Sequence, residues 1–182
     1  MKVTPSRLPD VLILEPIVHR DARGFFLESW HEARWTSLGL PWRFVQDNHS
    51  HSTEGTLRGL HYQVEKPQGK LVRVVSGVVF DVAVDLRRSS STFGEWVGET
   101  LSENDQRQLW VPPGFAHGFY VLSNSADLLY KCTEHYLPAC DRALRWDEPE
   151  LAISWPLLNG RPPILSPKDA AAPSLRDAPT YP

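Results

Sequence analysis

Seven histidines, His19, His31, His49, His51, His61, His117 and His135, are the first side chains to weigh for chemistry. Imidazole titrates near neutrality and is also a common metal ligand. Two of them stand in informative contexts, Arg58-Gly59-Leu60-His61-Tyr62-Gln63 and Pro112-Pro113-Gly114-Phe115-Ala116-His117-Gly118. A catalytic metal needs about three convergent protein ligands. The first context carries Gln63 where a second histidine would complete a His-x-His pair, and Glu65 is the nearest carboxylate. His61 and His117 therefore lack a third ligand, and no metal is expected. The plainer alternative is that both are buried, hydrogen-bonded residues of a β-barrel. Cys132 and Cys140, in a chain without a secretion signal, read as reduced thiols, with nothing to mark either as a nucleophile.

The elements that would hold these side chains are strands. Segments 11–17, 24–30, 44–51, 56–63, 71–76, 78–86, 95–101, 118–122 and 128–135 are short, rich in β-branched, aromatic or alternating residues, and separated by turn formers. In 78–86, Phe80, Val82, Val84 and Leu86 recur at every second position, with Asp81 and Asp85 on the opposite face. Residues 31–38 read as a helix, and a second short helix is expected near 102–106. Many short strands with few helices predict an all-β sandwich, jelly roll or barrel.

The chain has 182 residues, enough for one domain with a real core. Nine of its 16 prolines follow residue 136, so the segment 137–182 is expected to be irregular, because proline removes a backbone donor and fixes φ. Nineteen Lys and Arg against 22 Asp and Glu, with no basic run, argue against nucleic-acid binding. No stretch approaches the ~18 apolar residues of a membrane span, so a soluble, cytoplasmic protein is expected.

A strand-borne histidine after a glycine, followed later by Pro-x-Gly-x-x-His, resembles the two-motif pattern of the cupin superfamily of double-stranded β-helix jelly rolls. Further motifs narrow this. In order they are Asp21-Ala22-Arg23-Gly24-Phe25-Phe26, Val45-Gln46-Asp47-Asn48-His49-Ser50, the His61 segment, Gln68-Gly69-Lys70-Leu71-Val72-Arg73, Phe80-Asp81-Val82-Ala83-Val84-Asp85, Ser91-Thr92-Phe93-Gly94, the His117 segment and Leu129-Tyr130-Lys131. The series, spanning about 9–169, closely resembles the dTDP-4-dehydrorhamnose 3,5-epimerase family.

That resemblance implies a single cupin-like domain over 1–182, without a metal or other cofactor. It implies inversion of C3 and C5 of dTDP-4-dehydro-6-deoxy-D-glucose beside its C4 ketone, in dTDP-L-rhamnose biosynthesis. Proton abstraction α to a carbonyl needs a base, an acid on the other face, and a partner for the enolate charge. By match to the family, His61 is the base, Asp169 in Ser166-Pro167-Lys168-Asp169 its orienting partner, Tyr130 the acid, and Lys70 the partner of the C4 oxyanion. Arg23 and Arg58 fall at diphosphate positions. Phe25, Glu28, Gln46, Asp47, Asn48, His117, Asp141 and Lys168 fall at other substrate-binding positions, and Tyr136 matches an aromatic that stacks on thymine. The family also implies a homodimer in which an N-terminal strand, compatible with 11–17, joins the partner's sheet.

Strict alternation places Arg58 and His61 on opposite faces of one strand. Either Gly59 marks a bulge that re-aims one of them, or their roles separate across subunits. Three residues depart from the family pattern: Pro167, Cys132, and Asp141 where a longer Glu is usual. The proline-rich tail is expected to bring Asp169 to His61, so that truncation before Ser166 would impair catalysis more than folding. Three other readings compete with the double epimerase: an epimerase that inverts only one of the two carbons, a non-catalytic sugar-nucleotide-binding cupin, and a metal-dependent cupin oxygenase or isomerase, which Gln63 disfavours.

Overall fold

A computed structural model describes residues 1–40 and 42–182. Thirteen strands follow in chain order. They are β1 (Lys2–Pro5), β2 (Leu12–Glu15), β3 (Val18–Asp21), β4 (Gly24–Leu27), β5 (Gln46–Thr53), β6 (Leu57–Gln63) and β7 (Lys70–Ser76). After these come β8 (Val78–Asp85), β9 (Trp96–Ser102), β10 (Gln108–Val111), β11 (Phe115–Val121), β12 (Ser125–Cys132) and β13 (Asp141–Ala143). The helices are short: α1 (Glu32–Ser37) and α2 (Pro167–Ala170), with a 3-10 turn at Leu158–Gly160.

Two antiparallel sheets stack as a jelly roll. One runs β1-β2-β10-β7-β12-β5 and the other β13-β6-β11-β8-β9, while β3 and β4 form a separate hairpin. Between the sheets lies an apolar layer drawn from both, with Val72, Val74, Leu109 and Leu128 facing Val79, Ala83, Phe119 and Val121. The expected all-β, cupin-like architecture is the observed one.

The alternation in β8 serves a purpose that periodicity alone does not reveal. Its apolar stripe, Val82, Val84 and Leu86 with Phe80 beside them, faces away from the interior and packs under the C-terminal segment, against Leu144, Leu151, Leu175 and Ala178. Asp81 and Asp85 face inward and are fully buried. Each is held by a partner: Asp81 by His117, and Asp85 by Arg87 through two hydrogen bonds of 2.9 and 2.8 Å. Burial pushes the Asp85 carboxyl up, but donors from Arg87, Ser90 and Thr92 outweigh it and hold it at about 2.

Apart from β13 and α2 the tail is irregular as expected, but it is also part of the core. Tyr62 donates to the Pro179 carbonyl at 2.7 Å, and the Arg88 amide donates to the Tyr181 carbonyl at 3.0 Å, strapping the last residues across the five-stranded sheet. Truncation before Ser166 would remove Leu175 and Ala178 from the cluster that covers Leu60, Val82 and Val84, so it would cost stability as well as Asp169. The outer face of the six-stranded sheet is covered by α1 and an aromatic cluster in which Trp42 stacks on Trp110 at 3.8 Å.

Elsewhere, boundaries differ from the sequence reading. Residues 103–105 form a turn rather than a helix, because the chain crosses there from β9 in one sheet to β10 in the other. Asp105 N–H donates to Ser102 Oγ, and Gln106 adopts φ 58°, a left-handed conformation that ends the turn. Within the 11–17 segment, β2 pairs with β1 and β10 in this chain's own six-stranded sheet. β1, β3, β10 and β13 were not legible as strands.

Candidate active site

His61 lies on β6 in one sheet, while Lys70 on β7 and Tyr130 on β12 belong to the other. All three line a cavity of about 470 Å³ between the sheets, together with Arg58, His117, Lys168 and Asp169. A second lobe of about 370 Å³ shares His61, Lys70, Tyr130 and Lys168 and extends to Gln46, Asn48, Tyr136 and Asp141.

The glycine after Arg58 explains how Arg58 and His61 share one wall. In the β6–β11 ladder His61 faces His117 and Arg58 faces Phe119, so β6 spends one more residue than its partner over that interval. That is a bulge, and it resolves the conflict with strict alternation within one chain. Gly59 has φ +142°, and a Cβ there would fall 2.5 Å from the Cα of Gly118, so only glycine fits. Arg58 is held by Ser52 Oγ and the His51 carbonyl at 2.9 and 3.1 Å.

The tail delivers Asp169. Its Oδ1 sits 2.6 Å from His61 Nε2, with the carboxylate only 3% exposed and the imidazole 32%. Ser166 caps α2 by accepting the Asp169 amide at 3.1 Å, and Pro167 occupies the first turn, where a missing N–H costs nothing. The Pro167 departure therefore suits the helix it starts. Burial pushes the Asp169 carboxyl up, but the His61 hydrogen bond, aided by Ser166 and Gly59, pulls it below the usual range. An ionised carboxylate only accepts, so Nε2 carries the proton and Nδ1 is left as the basic nitrogen.

Lys70 is 8% exposed and donates to the His61 carbonyl at 3.3 Å. Burial lowers its proton affinity, and the surrounding Cys132, Asp141 and Asp81 partly restore it. Burial likewise raises the Tyr130 phenol, which keeps it protonated and able to donate. Cys132 pairs across the ladder with Lys70, and burial raises its thiol.

In the second lobe, Tyr136 is 49% exposed and donates its hydroxyl to Asp141 Oδ2 at 2.9 Å. Lys168 pairs with the same oxygen. The shorter Asp141 thus reaches both neighbours. Gln46 Nε2 donates to Asn48 Oδ1 at 3.0 Å, and Asn48 in turn faces Cys132 Sγ at 3.5 Å.

Four expected substrate-binding residues are not in this cleft. Asp47 alternates to the outer face of β5 and pairs with Lys131 at 2.9 Å. Arg23 is at the tip of the β3–β4 hairpin, bonded to Asp21, and Phe25 is half exposed beneath Arg20. Glu28 pairs with Arg34 at 3.0 Å in a separate groove with Ile17 and Trp35. The hairpin pairs only with itself, which is why its residues lie apart.

One further side chain, which the sequence reading did not single out, stands behind the cavity wall. Asp81 Oδ1 lies 2.8 Å from His117 Nε2, so a second buried carboxylate–imidazole pair backs the cavity wall. The signal was its place on the inward face of β8. Among the described residues no three His, Cys, Asp or Glu side chains converge as metal ligands, and the Gln63 amide is committed to backbone groups.

The sequence model of the dTDP-4-dehydrorhamnose 3,5-epimerase family matches residues 5–177. A dTDP-4-dehydrorhamnose 3,5-epimerase from Pseudomonas aeruginosa is 53% identical over 100% of both chains. A solved dTDP-6-deoxy-D-glucose-3,5-epimerase from Legionella pneumophila, in complex with dTDP-4-keto-L-rhamnose, superposes with a TM-score of 0.94 at 50% identity, covering 100% of this chain and 98% of its own. An epimerase from Mycobacterium tuberculosis gives 0.92 at 40% identity, covering 97% and 90%. With a histidine backed by a carboxylate on one sheet and a phenol and an ammonium on the other, and with this likeness along nearly its whole length, the chain belongs to the dTDP-4-dehydrorhamnose 3,5-epimerase family.

Proposed function

We propose that this protein converts dTDP-4-dehydro-6-deoxy-D-glucose to dTDP-4-dehydro-6-deoxy-L-mannose, inverting C3 and C5 through enolate intermediates, in dTDP-L-rhamnose biosynthesis. The observation that carries the reading is the split of base and acid between facing sheets around one cavity. His61 Nδ1 takes the proton from the carbon next to the ketone, and the electron pair moves into the C4 carbonyl. Lys70 stabilises the resulting oxyanion from a dry site, where a charge acts most strongly. Tyr130 returns a proton from the opposite face, and exchange with solvent resets both groups. Arg58 and His117 supply donors for the diphosphate, and Tyr136 offers the thymine a flat surface beside Asp141 and Lys168.

The direct test is incubation with dTDP-4-dehydro-6-deoxy-D-glucose in D₂O, followed by NMR with and without chelator. Deuterium at C3 and C5, insensitive to chelator, is expected. Label at one carbon would make the protein a single-carbon epimerase, and label at neither would overturn the assignment.

The reading extends to a cytoplasmic homodimer with shared sites. Phe26, Ile17 and Leu38 are 71, 62 and 54% exposed around the hairpin, and Arg23, Phe25 and Glu28 have no role in their own cleft. Two copies would bring these residues to each other's substrate. Among the described residues no helix is long and apolar enough to cross a membrane. Mixing inactive Arg23→Ala and His61→Ala chains should restore about a quarter of wild-type activity, since half of the random dimers are mixed and each mixed dimer has one intact site. No recovery would refute shared sites.

A further inference from the structure

The segment after β12 carries Tyr136 without any regular ladder to hold it, yet the backbone on either side of Tyr136 is held. Glutamine side chains provide the partners. Gln63, two residues beyond His61 and 2% exposed, donates through Nε2 to the His135 carbonyl at 3.2 Å and accepts the Leu137 amide on Oε1 at 2.7 Å. Its amide therefore brackets Tyr136 on both sides. The second Nε2 hydrogen goes to the Lys66 carbonyl at 3.0 Å, tying in the loop that leads to Lys70. Gln46 accepts the Tyr136 amide at 2.8 Å, and Gln68 donates to the Glu134 carbonyl at 2.8 Å.

Both hydrogens of the Gln63 amide and its oxygen thus go to backbone groups, and none is left for substrate. A side chain of the same length without an amide would leave two carbonyls and an N–H unpaired in a buried place, and the loop would have to move to rewet them. The ring of Tyr136 is half exposed at the mouth of the cleft, and an aromatic surface binds best when its backbone is already ordered.

We propose that Gln63 is a positioning residue for the nucleobase, which fixes the backbone on either side of Tyr136 so that its ring is preorganised to stack on the thymine. The proposal rests on the reading of Tyr136 as the base platform. Gln63 acts through Tyr136 and not on the reacting carbons.

The test compares Gln63→Met, Tyr136→Ala and the double variant by steady-state kinetics and by competitive inhibition with dTDP and with inorganic pyrophosphate. Stacking on an aromatic contributes ~1–3 kcal/mol per base, so each single variant should raise KM and the dTDP inhibition constant about tenfold. For Gln63→Met the pyrophosphate constant and kcat should stay within about twofold of wild type, a split that general damage to the fold would not produce. The double variant should be no worse than Tyr136→Ala alone, because the two act as one unit. Additive losses, or Gln63→Met binding dTDP normally while Tyr136→Ala does not, would overturn the proposal. Normal dTDP binding by Tyr136→Ala would overturn the platform reading itself, and the proposal with it. Should Gln63→Met fail to fold, amide exchange in the wild-type protein decides: a slow Leu137 amide supports the clamp, and one exchanging at a free-loop rate refutes it.

Discussion

Replacing Asp169 by asparagine removes a charge while leaving shape almost unchanged, and the structure sets the scale of the loss. The Asp169 carboxylate lies 2.6 Å from His61 Nε2 and is 3% exposed, so water cannot substitute for it. A net hydrogen bond to a charged group is typically stronger than a neutral one by about 1–2 kcal/mol. An imidazolium formed during proton abstraction loses that much, which slows the step about tenfold or somewhat more. The amide adds a second fault. If its NH₂ turns toward Nε2, the ring must hold its proton on Nδ1, and the base is gone; this wrong-tautomer effect approaches ~10⁴ where a buried Asp supports a catalytic His. Asp169→Asn should therefore lower kcat about 10²–10⁴-fold while leaving KM within about threefold, because the carboxylate is turned to His61 rather than to the substrate. The assay is single-turnover deuterium wash-in at C3 and C5, with thermal melting as a control for folding. A variant with full folding and a kcat within a factor of about three of wild type would refute the pairing as a source of basicity.

Tyr130→Phe should retain deuterium exchange from the His61 face but stop inversion, since burial keeps the phenol protonated for delivery from the other sheet; normal epimerisation would reassign the acid. Lys70→Met should reduce kcat by about 10²–10³ without loss of melting temperature, because an ammonium buried at this site is a cost to folding and is kept for the oxyanion. Asp85 tests the fold alone. Its carboxyl is held at about 2 in the folded protein, so its contribution is present above the unfolded value and fades as pH falls through about 2. That depression is worth about 2 kcal/mol, and Asp85→Asn should flatten the acid-unfolding profile below about pH 4 by a similar amount. Leu175→Ala, in the tail but away from the cavity, should cost about 2–4 kcal/mol of stability in urea while the folded enzyme keeps its kcat.

What was legible in the sequence followed physical regularity. Period two in β8 and the ordered motifs around His61, Lys70, His117 and Tyr130 pointed to a jelly roll and to residues that do share a cavity. Alternation failed where the chain breaks its own period. The bulge at Gly59 turns Arg58 and His61 to one side, and the glycine was its only trace. Gln108–Val111 has all four residues buried and thus no polar face to betray a strand. Motif position also says nothing of which face a side chain takes. Asp47 lies between Gln46 and Asn48, and the pleat alone sends it outward. Arg23 and Phe25 are a different case, since their hairpin joins neither large sheet, and Glu28 just beyond it is held by Arg34 in a separate groove.

The alternating stripe on β8 joins fold and catalysis. A strand with apolar residues on its outer face and buried carboxylates on its inner one needs a cover, and the proline-rich tail supplies it through Leu151, Leu175 and Ala178. Because prolines lack amide donors, the tail adds only the three-residue β13 to the β6 ladder and otherwise docks by side chains and a few hydrogen bonds. Docking in that way places α2 against β6, and Ser166 turns the short helix so that Asp169 meets His61. The same contacts that shield the outer face therefore fix the base. Leu175→Ala and Asp169→Asn lie on one segment, six residues apart, and should separate stability from catalysis cleanly. If Leu175→Ala lost kcat in proportion to stability, the tail would be acting as a loosely held cover rather than as a fixed support for the His61–Asp169 pair.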